Sequence, residues 1–511
     1  MFLLRALFFM CSFCLFIYAQ DIQTEQTNAN SDTLLEKLKE DLDKAKGTLD
    51  GLNESFAETK TTVDKLSKIK ISGYIQFQYR MATNYKEATD TTGTGASPLG
   101  KTNPVGKYLY PVGDFAGGKF GDGIGSMLQI RRARIKVAYE SKLTTGVVQL
   151  DCLPFTMSNA VNSVTQAQDT SKKVSTTQTS FLSGGGITLK DAYFRFTDPW
   201  IETISLKAGY FDRPFGFEIG YSSSNRESPE RSRLFQTLFP LERDLGLSLE
   251  LVPSGRMPEW LSLFNFKGGA FTGNGINVET DDYLDYIGRF GFSVMSQHLQ
   301  IGLDGGVSGY FGKVKNYNDT TYFFNADKKI FEPSTGYKYQ GINRKYYGLD
   351  LQFYASLPFL GGFTLRGEGI SGYQPCFSAN NSSPKSNVTS SSPVYLRNIL
   401  GYYLMWVQNI DAINSQFVLK YDSFDPNTLI HGNDIDSAHV KLQKVSPADL
   451  MFNTLGLGWV YHWNENVKIM AYYEMVNNEK VAPDMIKNKD FFVYTNPIKA
   501  NVFTLRIQYK F

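Results

Sequence analysis

Arg132, Arg134 and Lys136 stand at alternate positions of one stretch. In an extended chain such residues share a face, so the three cations form a stripe. A basic stripe on the wall of a water-filled bore guides anions and needs no covalent chemistry. The blander alternative is that these charges solvate the wall and pair with nearby carboxylates. Arg195 and Lys207 add to the basic set in later stretches. A second group, Arg213, Arg226, Arg231, Arg233 and Arg243, lies in the segment near 212–244. Asp212, Glu218, Glu227, Glu230, Glu242 and Asp244 are interspersed there, so the segment is not net basic. An arginine filter requires those carboxylates to act as structural partners, leaving guanidinium groups aimed at a path. Phe215, Phe217, Tyr221, Leu234, Phe235, Leu238, Phe239 and Leu241 give the segment apolar content suited to packing inside a barrel. There is no Gly-x-Ser-x-Gly elbow, and His298, His431, His439 and His462 lack metal-ligand spacing. The expectation is a protein that is not an enzyme, with no catalytic residue, metal or cofactor.

These side chains need a scaffold that alternates inside and outside. The final strand supplies the pattern: Phe503, Leu505, Ile507, Tyr509 and Phe511 on one side, Thr504, Arg506, Gln508 and Lys510 on the other. Ile69 to Arg80 repeats it. Further strands are predicted near 128–140, 142–151, 187–197, 203–211, 245–252, 262–272, 286–296, 299–310, 345–357, 362–373, 398–408, 414–422, 452–463 and 465–477. With the two ends this gives about sixteen, an even number as bacterial barrels require. The connections between them alternate short and long, from the single turn near Ser141 to long stretches such as 81–127, 152–186, 311–344 and 423–451. That rhythm predicts an all-β, antiparallel transmembrane β-barrel over 69–511, with short turns on the periplasmic rim.

Residues 1–19 read as a secretory signal peptide, with Arg5 before an apolar run and Ala19 at the cut, and 20–31 as a linker. Over 32–68, Leu35, Leu38, Leu42, Ala45, Leu49, Leu52, Phe56, Thr59, Val63 and Leu66 recur at alternating steps of three and four. This spacing predicts a periplasmic α-helical coiled coil of about five heptads, roughly 50 Å long. A net charge of +2 over 511 residues argues against a dedicated nucleic-acid binder. Beyond the leader only Cys152 and Cys376 remain, read as two free thiols.

Gly209-Tyr-Phe-Asp-Arg-Pro-Phe-Gly-Phe-Glu218, Glu230-Arg231 and Pro240-Leu-Glu-Arg-Asp-Leu-Gly246 resemble motif blocks of the phosphate-selective porin O and P family. Gly269-Ala-Phe-Thr-Gly-Asn-Gly-Ile-Asn277 looks like the next block, with Thr272 in place of the expected Asn. Ile287-Gly-Arg-Phe290, Thr454-Leu-Gly-Leu-Gly-Trp459 and the final strand extend the likeness over 69–511. Arg213, Arg231 and Arg243 fall in matching blocks; Arg226 and Arg233 extend the set. The resemblance implies a homotrimer of barrels in a Gram-negative outer membrane, in contact with its lipid and passing small anions, phosphate among them. The family's lysine clusters do not align here residue by residue, which leaves the permeant open. The rival expectations are a nonspecific or sugar porin, and a structural trimer that contacts the cell wall through its coiled coil.

Overall fold

The structure, a computed structural model, describes residues 28–82, 126–152 and 187–511, the last without 241, 254–256, 278, 280, 384–391, 437, 488–490 and 496–500. The leader read at 1–19, Leu241 and most of the connections at 81–127 and 152–186 lie outside the described residues. The chain divides into two units, Met1–Lys68 and Ile69–Phe511.

The first unit holds helix α1 (Asn28–Leu66). Its sequence lacks proline, and charged residues fill the positions between the heptad residues. Leu38, Leu42, Leu49, Leu52, Phe56 and Val63 are each more than half exposed. The stripe read from the sequence therefore exists as an uncovered apolar edge of a helix.

The second unit is built from β1 (Ile69–Ala82), β2 (Ser126–Glu140), β3 (Thr144–Cys152), β4 (Ile187–Thr197), β5 (Ile204–Asp212), β6 (Arg243–Leu251), β7 (Phe264–Phe271), β8 (Asp285–Ser296) and β9 (Ile301–Lys315). It continues with β10 (Thr321–Asn325), β11 (Ile330–Ser334), β12 (Gly341–Leu357), β13 (Gly361–Cys376), β14 (Val394–Ile410), β15 (Ser415–Asp425), β16 (Phe452–His462), β17 (Val467–Asn478) and β18 (Val502–Lys510). Neighbours pair antiparallel from β1 to β9, β9 passes to β12, and pairing runs on to β18. β18 then pairs with β1, Tyr74 opposite Lys510, and closes a 16-strand barrel. Closure leaves no free sheet edge, the condition for a strand wall in hydrocarbon.

The wall is polar inside and apolar outside. On β1, Gln76 and Gln78 are buried while Ile75 and Phe77 are exposed. On β18, Thr504, Arg506 and Gln508 are buried while Leu505, Ile507 and Tyr509 are exposed. A soluble sheet would bury the other face; this one suits lipid outside and water or polar protein inside.

Two features depart from the sequence reading. The connection read as open loop over 311–344 contains the hairpin β10–β11, and β10 runs parallel to the start of β14. Its runs Thr-Tyr-Phe-Phe-Asn and Ile-Phe-Glu-Pro-Ser satisfy one another's backbone groups beyond the main wall. In β2 a bulge interrupts the alternation: Gln76 faces Arg132 but Phe77 faces Ile130, leaving Arg131 as an extra residue.

The short turns are fixed locally. Between β4 and β5, the Asp198 carboxylate accepts hydrogen bonds from the backbone N–H groups of Trp200, Ile201, Glu202, Thr203 and Ile204. Burial would raise this carboxyl, but the backbone donors outweigh it and hold it down at about 2. Cys152 is exposed and Cys376 buried, both as free thiols.

Candidate permeation pathway

The connection from β5 to β6 lies against inward-facing residues on widely separated strands. Its first turn is set by Gly216, whose φ is +61° and whose absent Cβ leaves room for the Glu368 carboxylate of β13. That carboxylate accepts the N–H groups of Phe217 and Glu218, each at 3.0 Å, and Ser308 of β9 accepts Gly216 N–H at 2.9 Å. The short helix α2 (Arg233–Leu238) follows, with Leu234 and Phe235 fully buried. Phe215, Phe235 and Phe239 pack with Tyr310, Tyr346 and Tyr403 of the wall, the Phe239 ring 5.9 Å from Tyr310 and 5.7 Å from Tyr346. Each of these buried apolar side chains contributes about 1.5–3 kcal/mol to holding the segment there.

Its other flank is polar. Gln76 donates to Ser223 O at 3.0 Å, Gln508 to Ser224 O at 2.9 Å, and Lys468 to Ser224 O and Arg226 O at 2.8 and 3.0 Å. Arg506 donates to Pro229 O at 2.6 Å. The segment thus rests on β9 and β12–β15 by an apolar foot and on β1, β17 and β18 by hydrogen bonds. It crosses the barrel interior.

The carboxylates of the segment are all engaged. Glu230 receives Arg131 at 2.9 Å, Arg132 at 2.5 Å and Arg506 at 3.0 Å. Glu242 receives Arg231, Arg243 and Lys190. Glu218 receives Lys420 at 3.0 Å and the Ser232 hydroxyl at 2.6 Å. Glu227 receives both terminal nitrogens of Arg366, at 2.8 and 2.9 Å. Arg213 donates to Asp244 at 2.9 Å. Asp244 also takes Thr272 Oγ1 at 3.0 Å, so the departure at Thr272 keeps a donor there.

Between β1–β5 and the loop lies a cavity of about 330 Å³. Arg134, Lys136, Arg231, Arg243 and Lys510 reach it, with Asp191 and Asp212 as the carboxylates. Tyr74, Tyr193, Ser222, Ser223, Ser224 and Asn225 add hydroxyl and amide groups. Arg134 is held by Asp151 at 2.7 Å and by the hydroxyls of Tyr74 and Ser223. Arg243 is held by Asp191 at 3.0 Å. Lys136 and Lys510 have no carboxylate partner among the described residues.

Of the basic residues singled out in the sequence, the cavity gathers Arg134, Lys136, Arg231 and Arg243. It does not gather the others. Arg132 is buried on Glu230, and Arg213 on Asp244. Arg233 lies buried with its guanidinium 4.6 Å from the Phe452 ring. Lys207 sits between Tyr193 and Phe211, at 4.4 and 4.3 Å from their ring centres, with Asp212 and Glu250 nearby. Arg195 reaches Thr145 at 3.3 Å. Arg226 is buried, and none of its three guanidinium nitrogens has a hydrogen-bond partner among the described residues. Arg131 and the Ser222–Asn225 run are absent from the sequence reading, which does place Lys510 on the polar side of the final strand. The bulge hid Arg131 behind a broken alternation. The serines carried a signal only in their polarity.

No protein-family model matches the chain, and no curated protein matches it. Solved structures resemble it at low identity. The outer membrane channel DcaP of Acinetobacter baumannii is 10% identical, with 87% of this chain and 97% of that one covered and a TM-score of 0.43. OprB of Pseudomonas putida is 10% identical, with 88% and 96% covered and a TM-score of 0.47. The anion-selective porin from Comamonas acidovorans is 9% identical, with 87% and 99% covered and a TM-score of 0.41.

Proposed function

We propose that the chain is an outer-membrane diffusion porin for small hydrophilic solutes that prefers anions, with inorganic phosphate among its permeants. The long connections face the cell exterior and the short turns the periplasm. The loop between β5 and β6 is the constriction, and solutes pass on its β1–β5 side. The observation that carries this reading is the charge of the cavity: five cations reach it against two carboxylates. Lys136 and Lys510 are the groups most available to a passing anion, since neither forms an ion pair with a carboxylate among the described residues. No catalytic group is required, since a chain of weak, paired arginine sites binds a permeant loosely enough to release it.

Planar-bilayer recording tests this. Lys136→Glu reverses a charge on the open side of the cavity without breaking an ion pair. The chloride-to-potassium permeability ratio is expected to fall several-fold, moving the reversal potential toward cations. An unchanged reversal potential in this variant and in Arg134→Glu removes the anion preference. The cavity's Tyr74, Tyr193 and serine hydroxyls favour a second reading, a pathway for neutral solutes such as sugars. In that case uptake of a neutral sugar tracks Tyr193→Ala and ignores Lys136→Glu.

We also infer that α1 assembles with copies of itself, most simply as a trimer, because its heptad edge is apolar and uncovered. Such an assembly in the periplasm would also serve as a contact with the cell wall.

A further inference from the structure

The outer wall across β8, β9 and β12–β14 changes in order toward the long-loop rim. Val307, Leu349 and Leu351 are exposed in an apolar band. Above them Tyr286, Phe311 and Tyr347 are exposed, with the Phe311 and Tyr347 rings 5.8 Å apart. Such a step from aliphatic to aromatic marks the boundary between hydrocarbon and headgroups. Basic residues begin on the Phe311 rung and continue one step beyond it. Lys345 stands opposite Phe311 on β9 and Tyr373 on β13, and Lys313 stands opposite Asn343. Arg344 and Tyr346 beside Lys345, and Gly312 and Val314 beside Lys313, are buried, so both lysines belong to the outer face. Neither has a carboxylate partner among the described residues; Lys313 Nζ lies 5.5 Å from the Tyr283 ring.

Beside the lysines is a cavity of about 450 Å³. Asn343, Tyr373, Leu396 and Asn398 of the outer wall line one side, and Phe323 and Tyr337 of the connection carrying the β10–β11 hairpin line the other. Aromatic faces flanked by amides suit a sugar ring, ammonium groups suit phosphate, and the apolar band below suits acyl chains. We propose that this face binds a phosphorylated glycolipid of the surrounding leaflet, its sugar in the cavity, its phosphate on Lys313 and Lys345, its chains along the apolar band. Charge complementarity and continuity with the lipid-facing wall select this occupant. The inference rests on the reading above that the barrel spans the outer membrane with these connections outward.

Native mass spectrometry of the full chain in a maltoside detergent tests it, with bisphosphorylated lipid A, its dephosphorylated form and phosphatidylglycerol as probes. Lipid A is expected to bind one site per barrel at least tenfold more tightly than either comparison lipid. The pair Lys313→Ser with Lys345→Ser, and separately Tyr373→Ser, should each weaken it at least tenfold. Equal binding of dephosphorylated lipid A, equal binding of phosphatidylglycerol, or unchanged affinity in both variants overturns the proposal. Single-channel conductance of the variants should match the parent, since these residues face away from the lumen, and this shows them folded. Absence of conductance in the parent would instead strike the porin reading, whereas the lipid measurement depends on no ion flow.

Discussion

Glu230 is the residue on which the interior charges converge. Three guanidinium groups, from Arg131, Arg132 and Arg506, meet one buried carboxylate from the loop. Removing that carboxylate leaves clustered buried cations, and breaking a buried pair of this kind costs about 3–5 kcal/mol. Glu230→Gln is therefore expected to release the loop and lower the temperature at which the barrel loses its heat-modifiable mobility on a denaturing gel. Arg226 is the converse case. Its buried guanidinium has no hydrogen-bond partner among the described residues, so Arg226→Met removes an unsatisfied buried charge and is expected to raise the transition temperature in the same assay. A lower transition temperature in Arg226→Met would show that this charge is needed to balance Glu230 and Glu242. The residue types were legible in the sequence, and the requirement that carboxylates act as partners followed from their number. Which arginine meets which carboxylate was not, because Arg132 and Glu230 are brought together only by strand register and the course of the loop.

Elements were legible where the alternation was unbroken. β1, β18 and the strands between them follow the period of two closely enough to place each in order, because lipid and water impose opposite demands on successive residues. The β10–β11 hairpin escaped because its strands are short and the wall does not dictate their polarity. The bulge in β2 escaped because one extra residue has no compositional mark. The loop between β5 and β6 announced its apolar content, and the structure shows where that content goes: onto Tyr310, Tyr346 and Tyr403. Phe239→Ala removes the ring that joins this foot to β9 and β12, a loss of about 3–5 kcal/mol of packing. Single-channel conductance should rise and become noisier as the loop leaves its place, whereas a quiet channel of parental size would show that the polar flank alone fixes it. The β4–β5 turn yields a pH prediction. Asp198 titrates near 2 when folded, below its ordinary value of 3.8, so its stabilising contribution is complete above that value and is lost as pH falls through about 2. Trp200 fluorescence should report this acid transition, and Asp198→Asn should abolish it.

At the scale of the whole molecule, the barrel and the helix belong to separate structural units. Every strand pairing that closes the barrel lies within Ile69–Phe511, and the heptad edge lies wholly within Asn28–Leu66. Closure therefore does not depend on α1, whereas association through α1 does. Removing 28–66 while retaining residues 1–27 should leave the conductance and ion preference of each barrel unchanged. The same deletion should reduce the trimer recovered by mild detergent extraction, as measured by light scattering with multi-angle detection. Replacing Leu42, Leu49 and Phe56 by Ser should reproduce the loss of trimer while leaving the helix its length, since these side chains lie on the uncovered edge. If ion flow collapses while the trimer persists, α1 acts on the pathway instead of on assembly. If both persist and only envelope integrity suffers, the helix serves chiefly as a link to the cell wall. On the roles proposed above, transport and attachment are therefore expected to be lost independently, which a barrel whose closure depended on its helix would not permit.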